Sequence, residues 1–157
     1  MTIRIVPLTL REANDFVEQH HRHSARTSND GGKYAIGLEC ANQLVGVAIV
    51  GRPIARLLQD GSTAELLRLC TSPAAPKGAN SKLYSRAKRI WQLMGGGRFV
   101  TYTLKSESGA SMRGAGATPV SDVPAARWDR PSRARTAKHI ETLPKHRWQE
   151  HLPEIPA

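Results

Sequence analysis

Three groups of residues in this chain have types and spacings that could do chemistry. The first is the run His20-His21-Arg22-His23, whose imidazoles could act as a general base or meet a polyanion. Side chains one or two apart on a helix do not face each other, so His21 and His23 converge only if the helix has ended and the chain is extended there. The plain alternative is a helix C-terminus, where histidine suits the dipole. A lone HxH lacks the further ligands of a zinc centre, so no metal is expected. The second is Glu65 in AELLRLC, a carboxylate among aliphatic residues that could gain proton affinity from desolvation and serve as a base near neutral pH. Strict alternation sets Glu65, Leu67 and Leu69 against Leu66, Arg68 and Cys70, so Arg68 is expected on the opposite face from Glu65. A solvated edge carboxylate is the competing reading. The third is Lys77-Gly78-Ala79-Asn80-Ser81, where amides at a helix start, a lysine and a glycine that permits close approach make a phosphate cradle. Neither GxxxxGK[ST] nor GxGxxG is present, so nucleotide-triphosphatase and dinucleotide readings fall away, and an ordinary capped crossover is the alternative.

The elements that must position these groups follow from periodicity and capping. Thr2–Leu8 reads as a strand, and Thr9 followed by Glu12 is a capping box opening a helix to about His20, with Ala13, Phe16 and Val17 inward. His21–Gly32 reads as a polar loop. Lys33–Cys40 and Gln43–Gly51 flank Ala41-Asn42 as a hairpin. Ile54–Leu58 is short strand or turn, and Asp60-Gly61 reverses the chain into a strand over Ala64–Cys70. Asn80 or Ser81 caps a long helix marked by Leu83, Ala87, Ile90, Trp91 and Met94. Gly95-Gly96-Gly97 stops it, Arg98–Leu104 returns as a strand, and a short helix is expected around Gly109–Ala115. Strand, loop, helix, strand is the unit that lays parallel strands under a crossover helix. From Pro119 the chain is rich in Pro, Arg, Ala and His. Two readings stand open there: an extension strapped over the sheet by Trp128 and Trp148, or a disordered basic tail.

Composition limits the classes. The chain has 157 residues, 23 Lys or Arg and 13 Asp or Glu, for a net charge of +10, and it is 39% hydrophobic but only 5% aromatic. One domain with an aliphatic core is expected. No apolar run approaches the ~20 residues that cross a bilayer, and MTIRIVPLTL lacks the apolar stretch of a secretory signal, so a cytoplasmic protein is expected, with no membrane partner. Cys40 and Cys70, each within a strand, suit buried free thiols. Residues 1–60 carry seven basic and six acidic groups, 61–126 nine and three, and 127–157 seven and four. The excess therefore gathers around the 77–81 loop and its helix, where it would concentrate nucleic acid or a phosphorylated cofactor. A soluble basic face is the alternative. A homodimer is compatible with all of this.

The order of elements resembles the Gcn5-related N-acetyltransferase (GNAT) superfamily over about residues 1–120, leaving 121–157 as a basic extension. The resemblance implies an α+β fold: a central mixed, mainly antiparallel, twisted sheet with splayed parallel strands and flanking helices. It also implies acetyl-CoA or another acyl-CoA, with the pantetheine beside Leu69 and Cys70 and the pyrophosphate on Gly78, Asn80 and Ser81, near Lys77. In Ala75-Pro76-Lys77-Gly78-Ala79-Asn80, Gly78 matches the family's loop, while Ala75 and Asn80 depart from it. Ser106–Ala117 is similar to the family's later motif, with Met112 in the usual tyrosine position and Ala117 in that of phenylalanine. HHRHS, VGVAIVGRPIAR, ELLRLCT, SKLYSRA and WDRPSR are similar to a phage and prophage acyltransferase-like family named after a Xylella protein. That family in turn looks distantly like the phage Mom protein, which modifies adenine in DNA.

On this resemblance the chain is expected to be an acyl-CoA-dependent transferase. Glu65, His21 and His23 are the base candidates, and the backbone at Leu69 or Cys70 is the oxyanion donor. Tyr84 and Ser106 are candidates for protonating the leaving group or touching the pantetheine. If the acceptor is DNA, Arg52, Arg56, Arg68 and Arg86 would meet its phosphates, and a base would have to be flipped out or single-stranded. The alternatives are a non-enzymatic module of the same fold that binds nucleic acid or a host protein, and acylation of a protein or small amine.

Overall fold

The first helix starts where its capping box dictates. Glu12 N donates to Thr9 Oγ1 at 3.1 Å and Thr9 N to Glu12 Oε1 at 3.1 Å, which satisfies two otherwise orphan amides. In the computed structural model of the chain this ends strand β1 (Ile3–Leu8) and opens helix α1 (Leu10–His20). Residues 2–20, 26–27, 31–104, 109–123 and 145–156 are described. The expected hairpin joins β2 (Gly32–Cys40) to β3 (Gln43–Gly51). Ala41 and Asn42 both take positive φ, 50° and 62°, the pairing that matches a two-residue turn to the strands' twist. Arg56–Leu58 forms a single 3-10 turn rather than a strand, and β4 (Thr63–Thr71) follows.

Helix α2 (Ala79–Leu93) is capped by Gly78 at φ 84°, two residues before the nearer of the expected caps, Asn80 and Ser81. Then come β5 (Arg98–Leu104), the short α3 (Ala110–Gly114), β6 (Thr118–Val123) and β7 (Lys145–His151). The seven strands form one sheet in the order β1-β2-β3-β4-β5-β7-β6, antiparallel except for β4 with β5. The sheet thus has the expected mixed, mainly antiparallel character.

Alternation along β3 separates two cores. Ala48 and Val50 join Leu66, Leu83, Tyr84, Trp91, Phe99 and Trp148 on the α2 side. Val47 and Ile49 join Ala13, Phe16, Val17 and Cys70 on the α1 side. Each helix therefore buries one face of the sheet. Tyr34 Oη donates to Ala87 O at 2.7 Å, fixing α2 over β2.

The C-terminal part differs from the expectation of an extension after residue 120. β7 lies inside the sheet, between β5 and β6, and Trp148 is 1% exposed, with its indole N–H donating to Thr103 Oγ1 at 2.7 Å. Glu150 accepts from Tyr84 Oη at 2.5 Å and from Lys88 Nζ at 2.9 Å, which ties β7 to α2. The domain runs through His151. Trp128 lies outside the described residues.

Candidate active site

The site begins where the parallel pairing stops. β4 and β5 pair at Thr63–Arg98, Ala64–Phe99 and Glu65–Val100 and no further, although β4 continues to Thr71. The next carbonyl, Leu66 O, is taken by a side chain, Thr101 Oγ1, at 3.2 Å. Beyond it the two strands diverge, and among the described residues Arg68–Thr71 of β4 pair only on the β3 side. Backbone N–H and C=O groups on the other edge are left for a ligand.

A second irregularity sets the side chains. Ile49 pairs with Arg68 and Val50 with Leu66, so Leu67 is an extra residue in β4, a bulge. It reverses the alternation beyond Leu66. Cys70 packs in the α1-side core while Leu69 packs toward α2, and Arg68 falls on the same face as Glu65. The expectation that the two lie on opposite faces is corrected, because simple alternation does not survive an inserted residue.

Glu65 is 4% exposed. Its Oε2 accepts from Ile54 N at 2.8 Å. Burial pushes the carboxyl up to about 7, against the opposing pull of the Ile54 amide and the Arg68 charge. It is thus a buried group poised near neutrality, and the solvated-edge alternative is excluded. Burial lowers the Arg68 guanidinium from its ordinary value, with Glu65 opposing the change. Arg68 donates to Leu67 O at 2.7 Å and reaches Arg26 O at 3.5 Å. The segment at Arg26-Thr27 is itself held to α1, since Thr27 N donates to Asn14 Oδ1 at 2.8 Å and Arg26 bonds Asp15.

Tyr102 was not anticipated. In β5, Phe99 packs toward α2, so alternation turns Val100 and Tyr102 to the Glu65 face. The Tyr102 hydroxyl is raised from its ordinary value by burial and then by the Glu65 charge, with Arg147 opposing. Arg147 stands directly across from it in β7. The period-two pattern of RFVTYTL carries this signal, but only once Phe99 is known to face α2.

The loop before α2 is the second part of the candidate site. Gly78 takes φ 84°, and a side chain there would meet nothing within 4 Å, so the helix start opens to solvent. Ala79 N donates to Pro76 O and Lys82 N to Gly78 O, so the helical ladder begins at Lys82 and the first-turn amides lie ahead of it. Ser72 Oγ and Asn80 Oδ1 are shut from solvent without hydrogen-bond partners. These orphaned groups, together with the free β4 edge, fit an extended amide-bearing chain ending in phosphates. The Asn80 carbonyl is an acceptor and suits an amide N–H, so any phosphate contact there falls to backbone N–H groups.

The remaining expectations sort plainly. Tyr84 is fully buried and its hydroxyl is committed to Glu150, so it is a core residue and not a proton donor to the site. Burial raises the Cys70 thiol to about 11, which leaves it unreactive; Cys40 is also a buried free thiol. Met112 packs in the α2-side core. Arg52 and Arg56 are exposed around Ile54, Arg86 is exposed on α2, and Arg68 is half-buried on the other side of the sheet. The four do not form one surface. His21, His23 and Ser106 lie outside the described residues. Among the described residues there is no group of three or more His, Cys, Asp or Glu arranged for a metal, and no helix is long and apolar enough to cross a membrane.

A mixed sheet that splays between its two parallel strands, with a glycine-started helix after the first of them, is the GNAT acetyltransferase architecture. The structure is similar to the IAA acetyltransferase from Bacillus cereus, at 13% identity over 96% of this chain and 100% of that one, with a TM-score of 0.70. It is also similar to the ribosomal-protein-alanine N-acetyltransferase from Brucella melitensis (16% identity, 97% and 100% covered, TM-score 0.68). A third likeness is to a GNAT family acetyltransferase from Elizabethkingia anophelis with acetyl-CoA bound (15%, 96% and 98%, TM-score 0.63). No protein-family model and no curated protein sequence matches the chain.

Proposed function

We propose that the chain is an acyl-CoA-dependent N-acyltransferase. The observation that carries this reading is the open β4 edge, which runs from the buried carboxyl of Glu65 to the left-handed Gly78 at the start of α2. The backbone of Leu69–Thr71, Ser72 Oγ and Asn80 Oδ1 would hold the pantetheine. The amides at Gly78, Asn80 and Ser81, with exposed Lys77, would hold the phosphates. A bound acyl-CoA supplies an activated thioester carbonyl, whose C–S bond breaks as a C–N bond to the acceptor amine forms.

The chain's own residues supply the proton transfers. Glu65, ionised above about pH 7, takes the proton that the amine must lose. Tyr102, kept neutral at physiological pH by its raised pKa, is the phenol on the same face and the candidate donor to the departing thiolate. Backbone N–H groups at Leu69 or Cys70 would face the developing oxyanion. The test is calorimetric titration with acetyl-CoA and with CoA. Binding at micromolar to sub-millimolar concentration, weakened by Gly78→Val, is expected. No binding at millimolar acetyl-CoA would sink the proposal.

A second reading makes the acceptor a DNA base, in the manner of Mom, or makes the protein a non-enzymatic nucleic-acid module. It is supported by the +10 charge and by the resemblance of HHRHS and ELLRLCT to the phage and prophage family. The dispersal of Arg52, Arg56, Arg68 and Arg86 over separate surfaces counts against a single phosphate track. DNA binding whose affinity falls steeply with salt, without acetyl-CoA binding, would favour the module.

A further inference from the structure

Two polar atoms of β7 are shut from solvent yet have no hydrogen-bond partner: Nε of Arg147 and Oε1 of Gln149. Trp148 packs in the α2-side core and Glu150 bonds to α2, so Arg147 and Gln149 turn to the opposite face, the face of Glu65. The register places them closely. Glu65 pairs with Val100 and Val100 with Gln149, forming one row across three strands; Tyr102 and Arg147 form the pair two residues along. Those rows are about 6.6 Å apart along the strands.

Among the described residues, Arg68 and Arg147 both stand on this face, and Glu65 interacts with Arg68. Arg147 lies against the Tyr102 hydroxyl, and among the described residues it forms no ion pair with a carboxylate. A half-buried guanidinium whose Nε–H is shut from solvent and unmet suits an anion, and its fork matches carboxylate or phosphate oxygens.

We infer that the acceptor is a compact amine carrying an anionic group a few bonds from its nitrogen. The anion binds Arg147 beside Tyr102, and the amine sits over Val100 with one N–H toward Glu65 and another toward Gln149 Oε1. This rests on the transferase reading for its amine, while the anion site stands on β7 alone.

The experiment uses the full chain and three sets of probes: amino acids with free α-carboxylates, the corresponding carboxamides, and aminoalkylphosphonates. Binding is measured calorimetrically without acetyl-CoA, and turnover with it. At least one carboxylate or phosphonate amine should bind ten-fold or more tighter than its neutral counterpart, and the two acid sets tell a carboxylate from a phosphate site. Arg147→Gln should raise KM for that amine by 10- to 100-fold while changing KM for the carboxamide less than two-fold, any change in kcat through Tyr102 being common to both; Arg147→Lys should fall between. Equal binding of acids and carboxamides, no binding by any anionic probe, or an equal rise in KM for both classes in Arg147→Gln overturns the inference. If acetyl-CoA fails to bind while the anionic amines bind through Arg147, the transferase reading falls and the anion site survives.

Discussion

Glu65 and Arg68 share one face of β4 because Leu67 is inserted between their pairing partners on β3. The cation therefore acts on the carboxyl from its own strand. Burial raises Glu65 while the Ile54 amide and then Arg68 pull it back, so the value near 7 is a balance of the three. Removing the charge in Arg68→Met should move the Glu65 carboxyl upward by about one unit, the ordinary effect of one nearby charge. Carbon-13 titration of the labelled carboxyl reads this directly, and an unchanged midpoint would mean the two side chains do not communicate.

The same group links pH to stability. The ordinary glutamate value is 4.5 and the folded value is about 7, so between these the folded protein holds a proton that the unfolded chain has released. Raising the pH through that window destabilises the fold, by about 3 kcal/mol in all at ~1.4 kcal/mol per unit. Glu65→Gln keeps an acceptor for the Ile54 amide and removes the titration. It should match the parent below pH 4.5 and exceed its stability by about 2–3 kcal/mol at pH 8, as measured by urea denaturation. In the transferase reading it should also abolish the rise of kcat/KM through pH 7. Parallel stability curves for the two proteins would exclude a raised Glu65.

Gly78 needs its left-handed conformation more than it needs space, since a Cβ would meet nothing within 4 Å. Gly78→Ala should cost about 1–2 kcal/mol of stability from backbone strain alone. Gly78→Val adds bulk over the first-turn amides and should weaken acetyl-CoA binding ten-fold or more while the fold persists. Equal acetyl-CoA affinity in both variants and the parent would move the phosphate site away from this loop.

Local signals in the sequence translate well into this structure. The Thr9–Glu12 box, the Ala41-Asn42 turn and the three- and four-residue apolar spacing of α2 are each complete within a few residues; the first two form where expected, and α2 forms with its start two residues early and with Met94 exposed just past its end. The bulge at Leu67 is different, because ELLRLC contains no glycine or proline to mark it and it exists only in the register with β3. Tyr102 and Arg147 were hidden for the same reason: their meeting depends on β7 entering the sheet beside β5, across more than forty residues of chain. KHRWQEH, with no apolar residue besides Trp148, does not read as an interior strand. Its partners in fact include the Glu150 contacts with Tyr84 and Lys88, which make an outwardly polar segment part of the core.

That dependence gives a last prediction, about what holds β7 in place. Trp148 is 1% exposed and its indole N–H is satisfied by Thr103, so Trp148→Ala removes a large packed ring and should cost about 3–5 kcal/mol. A chain ended after Val123 loses the strand that both β5 and β6 pair with and should fail to fold cooperatively. Tyr84→Phe tests the other anchor. It deletes the hydroxyl that donates to Glu150 while leaving Lys88 paired with that carboxylate. A loss of about 1–3 kcal/mol is expected for a hydrogen bond to a charged acceptor, with turnover unchanged, because the ring faces the core and not the open edge of β4. If thermal melts show Tyr84→Phe as stable as the parent while acyl transfer collapses, Tyr84 serves the chemistry, and the core assignment of its hydroxyl is wrong.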